Sequence, residues 1–202
     1  MKKCLIIGNG PSLAQIPNDF LAKHTTWGSN RVYLKYVPDF YAFVDRLWVG
    51  NYIEDICNLE SSMKFIRREH AHKVPGAHPV YQVGGYGFSL YPHQYVFGGH
   101  TITYVMLQFA YFYGFERVGL IGVDHYYEQQ GQLETRQQGK DNSHFTPDYY
   151  SDDDVWIMPD VKLTEPAYAM AKQMYEGNGR QIVNLTPGSK LDVFPKEDWR
   201  DW

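Results

Sequence analysis

Cys4-Leu5-Ile6-Ile7-Gly8-Asn9-Gly10-Pro11-Ser12-Leu13 is the stretch on which the fold class turns. Four consecutive apolar residues closed by a glycine read as a short strand buried on both faces, the pattern of a central strand in a parallel sheet. Glycines at 8 and 10 let the chain turn sharply and let backbone N–H groups approach an anion. Ser12 can cap the short helix that follows and donate from its hydroxyl. Gly8-Asn9-Gly10-Pro11-Ser12 therefore reads as a nucleotide-phosphate loop, with a plain strand-to-helix turn as the competing reading. It lacks the Gly-Lys-Ser/Thr ending of a Walker loop, and Leu13 stands where a Gly-x-Gly-x-x-Gly fingerprint needs its third glycine.

Outward from this strand the chain alternates. Thr25-Thr26-Trp27 and Phe40-Tyr41-Ala42-Phe43-Val44 are strand-like runs, followed by Asn30 and Asp45 respectively. Apolar positions 49, 52, 53, 56 and 57 have helical spacing, and Met63-Lys64-Phe65-Ile66 predicts another strand. Residues 67–100 read as a loop-dominated stretch with one strand at 80–83. Thr101 predicts a helix cap, with Ile102, Val105, Met106, Phe109 and Phe112 on one face and Gly114 at the end. Val118-Gly119-Leu120-Ile121 is a second buried strand, leading into Gly122-Val123-Asp124. A polar excursion then runs from 125 to about 163, with Gln129-Gln130-Gly131-Gln132 and the triplet Asp152-Asp153-Asp154. Thr164 and Pro166 predict a cap and first turn for a helix striped by Ala167, Met170, Ala171, Met174 and Tyr175. Ile182-Val183-Asn184-Leu185 is a last strand and Thr186-Pro187-Gly188-Ser189 its turn. This alternation predicts a single α/β domain over 1–202, a Rossmann-like, doubly wound, mostly parallel sheet with a lid-like insertion at about 127–163. Ligands of such sheets bind at the carboxyl ends of the strands, here Gly8-Asn9-Gly10, Asn30, Asp45 and Asp124.

The chain has 202 residues and a formal net charge of −4, with no Lys/Arg run, which argues against polymeric nucleic acid as a partner. Cys4 and Cys57 have no metal-like spacing and read as buried thiols in a reducing, cytoplasmic compartment. Only Cys4 to Ile7 follow Met1-Lys2-Lys3 before the Gly-Asn-Gly turn, too short for a signal or membrane span, so the mature protein is expected to begin here. The 17 Tyr, 11 Phe and 5 Trp suit pockets for flat or sugar-like ligands, and equally suit ordinary packing.

The loop with its neighbours, Ile7-Gly8-Asn9-Gly10-Pro11-Ser12-Leu13, resembles the bacterial family 42 sialyltransferases, which use CMP-sialic acid, and their sister group likened to hydroxymethylpterin pyrophosphokinase. Gly122-Val123-Asp124-His125-Tyr126 is similar to the family's Gly-Ile-Asp-Phe-Tyr, and Asp141-Asn142-Ser143-His144-Phe145 to its Asp-Asn-Ser-His-Tyr. Leu185-Thr186-Pro187-Gly188-Ser189 is similar to its Cys-Pro-Asn-Ser turn. The resemblance implies that Asn30 contacts nucleotide, that Thr101 supplies a hydroxyl near the donor, that Tyr126 holds the donor phosphate and that His144 is the catalytic base. It also implies a homo-oligomer. Asp45 stands in place of a second nucleotide-contacting Asn, Gln132 in place of a phosphate-binding Tyr and Gly99 in place of an Arg, and the family's basic C-terminal tail is missing.

Imidazole titrates near neutrality, so a loop histidine can take a proton from an acceptor hydroxyl. The other reading of His144 is a turn residue bonded to backbone. The leading expectation is a nucleotide-sugar-dependent glycosyltransferase with a CMP-linked donor, a glycan or small-alcohol acceptor, and no permanently bound cofactor or metal. Tyr126 and backbone donors would stabilise the leaving phosphate. Alternatively Asp124, His125, Asp148 and the triplet hold Mg²⁺ for a pyrophosphokinase acting on a pterin-like alcohol. The triplet reads equally as a solvated loop tip, and Asp124 as a brace for its neighbouring loop. A third reading is a nucleotide-binding module without catalysis, accompanying surface-polysaccharide assembly.

Overall fold

The computed structural model describes residues 1–45, 49–60, 62–127, 136–140 and 142–202. Its strands are β1 (Lys3–Ile7), β2 (Thr26–Ser29), β3 (Phe40–Phe43), β4 (Met63–Arg67), β5 (His78–Val80), β6 (Gln82–Val83), β7 (Val96–Phe97), β8 (Arg117–Ile121), β9 (Arg136–Gln138), β10 (Val155–Ile157) and β11 (Gln181–Asn184). The helices are α1 (Asn18–Leu21), α2 (Ile53–Cys57), α3 (Arg68–Ala71), α4 (Ile102–Phe112) and α5 (Glu165–Glu176). Seven strands form one parallel sheet in the order β11-β8-β1-β2-β3-β4-β5. This is the Rossmann-like arrangement the alternation predicts. Strands β2 to β5 step outward on one side of β1, and β8 and β11 on the other. The order reverses beside β1, which opens a crevice at the carboxyl ends of β1 and β8.

Both faces of the sheet are covered, which is why the central strands are apolar without alternation. Cys4 and Ile6 of β1 join the core beneath α4 and α5, whereas Leu5 and Ile7 join the core that holds Leu13, Ile16, Leu21 and Ile56. Trp27 is fully buried and stacks on Phe40 with ring centroids 4.3 Å apart. The two cysteines are free, Cys4 buried and Cys57 half-buried. Among the described residues no helix is long and apolar enough to cross a membrane.

Four local expectations change. The 67–100 stretch supplies β5, the edge strand of the main sheet, which tolerates Pro79 because one of its sides needs no partner. After it the chain leaves the sheet, and β6 pairs with β7 instead. Helix α4 is buried over 103–110 rather than along one stripe, while Phe112 is exposed. Its polar Gln108 is satisfied by Ser89 N, Phe97 N and Phe97 O. Thr164 does not cap α5: it is itself helical, its hydroxyl donates to Val161 O, and Asp160 caps the preceding turn by accepting from Lys162 N. Finally, the described part of the excursion is structured. Strands β9 and β10 pair antiparallel, Tyr150 stacks on Trp156, and Trp156 Nε1 donates to Gly139 O at 2.9 Å. Gln129-Gln130-Gly131-Gln132 lies outside the described residues.

Candidate functional site

A cavity of about 130 Å³ opens at the carboxyl ends of β1, β2 and β8, at the point where the strand order reverses. Gly8, Asn9, Gly10, Asn30, Thr101, Asp124, Tyr126 and His144 line it together, although they come from five separate stretches of chain. Three expected residues are not brought there. Pro11 is exposed at the start of a short 3-10 turn, Ser12 is buried away from the cavity, and Asp45 lines a neighbouring cavity instead.

The Gly-Asn-Gly loop is held differently from an open anion cradle. Gly8 N donates to Ile121 O at 2.7 Å, Gly10 N to Gly122 O at 2.9 Å, and Ser12 N to Asp124 Oδ1 at 3.1 Å. The glycines are required by the approach of the two strand ends. A Cβ on Gly8 would lie 2.4 Å from Gly122 O, and one on Gly10 would lie 2.0 Å from Asp124 Oδ2. The Ser12 hydroxyl donates to Asp124 Oδ2 at 2.7 Å and does not cap a helix, the cap position being Gly10. Asp124 is thus the brace between the β1 and β8 loops. Burial pushes its carboxyl above the ordinary aspartate value, and the Ser12 bonds only partly offset this. The Thr186 to Ser189 turn supports the same loop, with Val123 N donating to Thr186 Oγ1 and Ser189 Oγ donating to Val123 O.

With those three N–H groups spent, the cavity offers further donors on its other wall. Helix α4 points its N-terminus there, and Thr101, Ile102 and Thr103 all line the wall. The Thr101 side chain accepts from Thr103 N, so the cap is the one expected. An eleven-residue helix presents partial positive charge at this end. Asn9 adds a second group: its Nδ2 donates to Ser29 O, and its Oδ1 is buried without a protein partner. A buried acceptor left open costs free energy unless a ligand donates to it.

Backbone strain marks the same place. Asn30, His100 and His125 are the non-glycine residues with positive φ among the described residues, at 53°, 59° and 57°, and all three line this cavity. Such conformations cost on the order of 1–3 kcal/mol each and collect at functional sites. Asn30 is partly fixed by Tyr41, whose hydroxyl donates to its carbonyl at 2.6 Å. His125 is held by Glu165, with Nε2 and Oε1 3.3 Å apart. Neither His100 nor Tyr168, which also line the cavity, carries a sequence signal.

His144 has a rigid mounting. Its ring stacks on buried Tyr149 with centroids 3.6 Å apart and planes 7° apart, and meets Tyr150 edge-on at 5.2 Å. Arg31 Nη1 donates to Asp148 O and Tyr149 O, and its guanidinium lies 4.5 Å over the Tyr52 ring. Phe145 N donates to Asn9 O at 3.1 Å, tying the histidine loop to the loop after β1. Tyr126 is exposed at the cavity's edge. Asp141 lies outside the described residues.

The carboxylates weighed as Mg²⁺ ligands divide between two places. Asp124 and His125 line the first cavity, whereas Asp148 and Asp152, Asp153 and Asp154 line a separate one of about 580 Å³. Asp154 is no solvated loop tip: it is buried and accepts from Tyr52 OH, Asn51 Nδ2, Ser151 N and Ser151 Oγ. Among the described residues no three His, Cys, Asp or Glu side chains are grouped to hold a metal ion.

No protein-family model matches the sequence, and neither does any curated protein. Solved structures do match. The sialyltransferase CstII from Campylobacter jejuni, in complex with the substrate analogue cytidine-5'-monophosphate, is similar over 97% of this chain and 84% of its own, with 16% identity and a TM-score of 0.52. A variant of the same enzyme in complex with CMP is similar over 96% and 86%, with 16% identity and a TM-score of 0.55. At this identity the likeness establishes a shared fold, extending over nearly the whole chain.

Proposed function

We propose that this protein is a glycosyltransferase that takes a sugar from a nucleotide donor, CMP-linked, and passes it to a hydroxyl acceptor. The observation that carries the reading is the convergence of an open buried acceptor on Asn9, strained Asn30, the N-terminus of α4, Tyr126 and a mounted His144 around one cavity at the strand-order reversal. The fold shared with an enzyme crystallised with CMP agrees with it. In this reading His144 takes the proton from the acceptor hydroxyl as its oxygen bonds to the anomeric carbon. The bond from that carbon to the phosphate oxygen breaks, and CMP leaves with the electron pair. Tyr126 and the N-terminus of α4 stabilise the charge that collects on the departing phosphate. Residues 1–202 act as one nucleotide-binding unit in which about 127–163 closes over the donor, and transfer needs no metal.

A thermal-shift titration with CMP, CDP, UDP, GDP and ATP, each with and without Mg²⁺, tests the nucleotide. A ligand that binds only the folded protein raises its melting temperature. CMP or CDP is expected to stabilise without metal, and a shift confined to ATP with Mg²⁺ would replace this reading with the pyrophosphokinase. His144→Ala is expected to lower transfer by about 10²-fold or more while CMP still stabilises. Transfer at the wild-type rate removes the base assignment. CMP binding with no turnover of any nucleotide sugar would leave the non-catalytic module.

A further inference from the structure

Arg31 directly follows Asn30, and its backbone is fixed on both sides. The Asn30 carbonyl accepts from the hydroxyl of fully buried Tyr41 at 2.6 Å, and the Arg31 carbonyl accepts from Leu34 N at 3.0 Å. From this rooted start the side chain leaves the nucleotide wall. Asn30 lines the first cavity and its neighbour, whereas Arg31 lines neither and borders the separate cavity of about 580 Å³.

There its guanidinium is spent on main chain. Nη1 donates to two consecutive carbonyls, Asp148 O at 2.9 Å and Tyr149 O, so one nitrogen holds both peptide groups that flank the Tyr149 side chain. The guanidinium is held in turn by the Tyr52 ring 4.5 Å beneath it, and Tyr52 OH donates to buried Asp154. Tyr149 is itself buried and carries the imidazole of His144 on its ring face, with centroids 3.6 Å and planes 7° apart. A continuous set of contacts therefore runs from the residue beside the nucleotide wall to the imidazole that lines the cavity.

Stacking alone lets a ring slide; what fixes His144 is the backbone that carries its platform. Charge-assisted bonds from a planar guanidinium packed on an aromatic face supply that stiffness in a form a lysine reproduces only in part. Proton transfer needs heavy atoms about 2.6–3.2 Å apart. A displacement of about 1 Å is enough to cost about 10²-fold in rate.

We propose that Arg31 is a positioning residue that sets the imidazole of His144 through Tyr149, so that one dipeptide, Asn30-Arg31, locates both the nucleotide wall and the base. The placement of the ring stands on the contacts themselves, and its consequence for catalysis rests on the transferase reading.

Proton NMR tests the placement without turnover. The ring protons of His144, assigned by their loss in His144→Ala, are shifted upfield by the Tyr149 ring. In Arg31→Met, with spectra compared while the imidazole is neutral, they are expected to move downfield toward the unstacked position. His78, whose ring stacks on Phe65 at 5.3 Å in the sheet, is expected to keep its shift and reports an intact fold. Arg31→Lys is expected to fall between, and it serves as the second variant should Arg31→Met fail to fold. His144 protons at their wild-type shifts in a folded Arg31→Met protein overturn the proposal.

Activity reads the consequence. In Arg31→Met, kcat for CMP release from CMP-N-acetylneuraminate is expected to fall about tenfold or more, while CMP affinity by calorimetry changes less than about threefold. In a His144→Ala background the same substitution is expected to cost nothing further, because both act through one imidazole. An equal further loss in that background, or a loss of CMP affinity as large as the loss of kcat, overturns the proposal, since Arg31 would then serve the fold or the nucleotide. If no CMP-sugar is turned over, the transferase reading fails and the ring-proton shifts alone decide the role of Arg31.

Discussion

Asp124 accepts two bonds from Ser12 and yet is pushed above the ordinary aspartate value of 3.8 because burial outweighs them. The folded protein therefore holds this proton more tightly than the unfolded chain does. The contribution of this carboxyl to stability falls as pH rises from 3.8 through the folded-state value, and that contribution is flat on either side of the window. Asp124→Asn keeps an acceptor for Ser12 N and removes the titration. The difference in unfolding free energy between wild type and variant is expected to slope only inside the window, with wild type gaining on acidification. Parallel denaturation curves across that range would assign the carboxyl no such role. Gly10→Ala acts on the same contact, since its Cβ would fall 2.0 Å from Asp124 Oδ2. It is expected to destabilise by about 1–3 kcal/mol, the usual cost of overpacking, measured by urea denaturation. The sequence shows that glycines belong at 8 and 10 but not why: the cause is a neighbouring loop more than a hundred residues away.

Asp154 fastens the excursion to Asn51 and Tyr52, in the 3-10 turn that leads into α2, an attachment between elements that no local pattern announces. Burial acts to raise its carboxyl, but the bonds from Tyr52, Ser151 and Asn51 outweigh burial and hold it below the ordinary aspartate range. Its contribution is therefore present above pH 3.8 and is lost as pH falls through the folded-state value. Asp154→Ala leaves the Tyr52 hydroxyl and Ser151 N without their acceptor, and is expected to cost about 1–3 kcal/mol in urea denaturation and to flatten the acid limb. An unchanged midpoint and acid limb would show that the attachment is dispensable. Elements with a strong local signature were legible in the sequence: β1 and β8 as continuous apolar runs, α4 from its cap, and the turn after β11. The short strands β5, β6 and β7 were not, because two or three residues carry no period and their pairing is decided by strands already in place. Thr164 has the right composition for a cap, but the preceding 3-10 turn runs straight into α5 and leaves no cap position there.

At the scale of the whole molecule, the parallel sheet with its strand-order reversal could be inferred from the alternation, and with it the edge on which the site lies. The cavity's second half could not: it is made by the excursion folding back over the strand ends, and the residues that do this are aromatic ones inside a stretch that reads as polar. That construction has a dynamic consequence. The sheet is held by continuous ladders, whereas the His144 loop is joined to the loops after β1 and β2 by Phe145 N to Asn9 O and by the Arg31 bonds to Asp148 O and Tyr149 O. Segments with few backbone bonds to the rest of the fold open at lower free energy than the core. Hydrogen exchange measured by mass spectrometry is therefore expected to show β1, β2 and β8 protected longest and residues 142–149 exchanging earlier. A nucleotide seated between Asn30, the N-terminus of α4 and His144 bridges both sides of the cavity, so CMP is expected to slow exchange in 142–149 and leave the edge strand β5 unchanged. Slowing spread evenly over the chain would indicate general stabilisation. Slowing absent from 142–149 would mean that the nucleotide binds without engaging the histidine loop, and the proposed closure over the donor would have to be abandoned even with CMP bound.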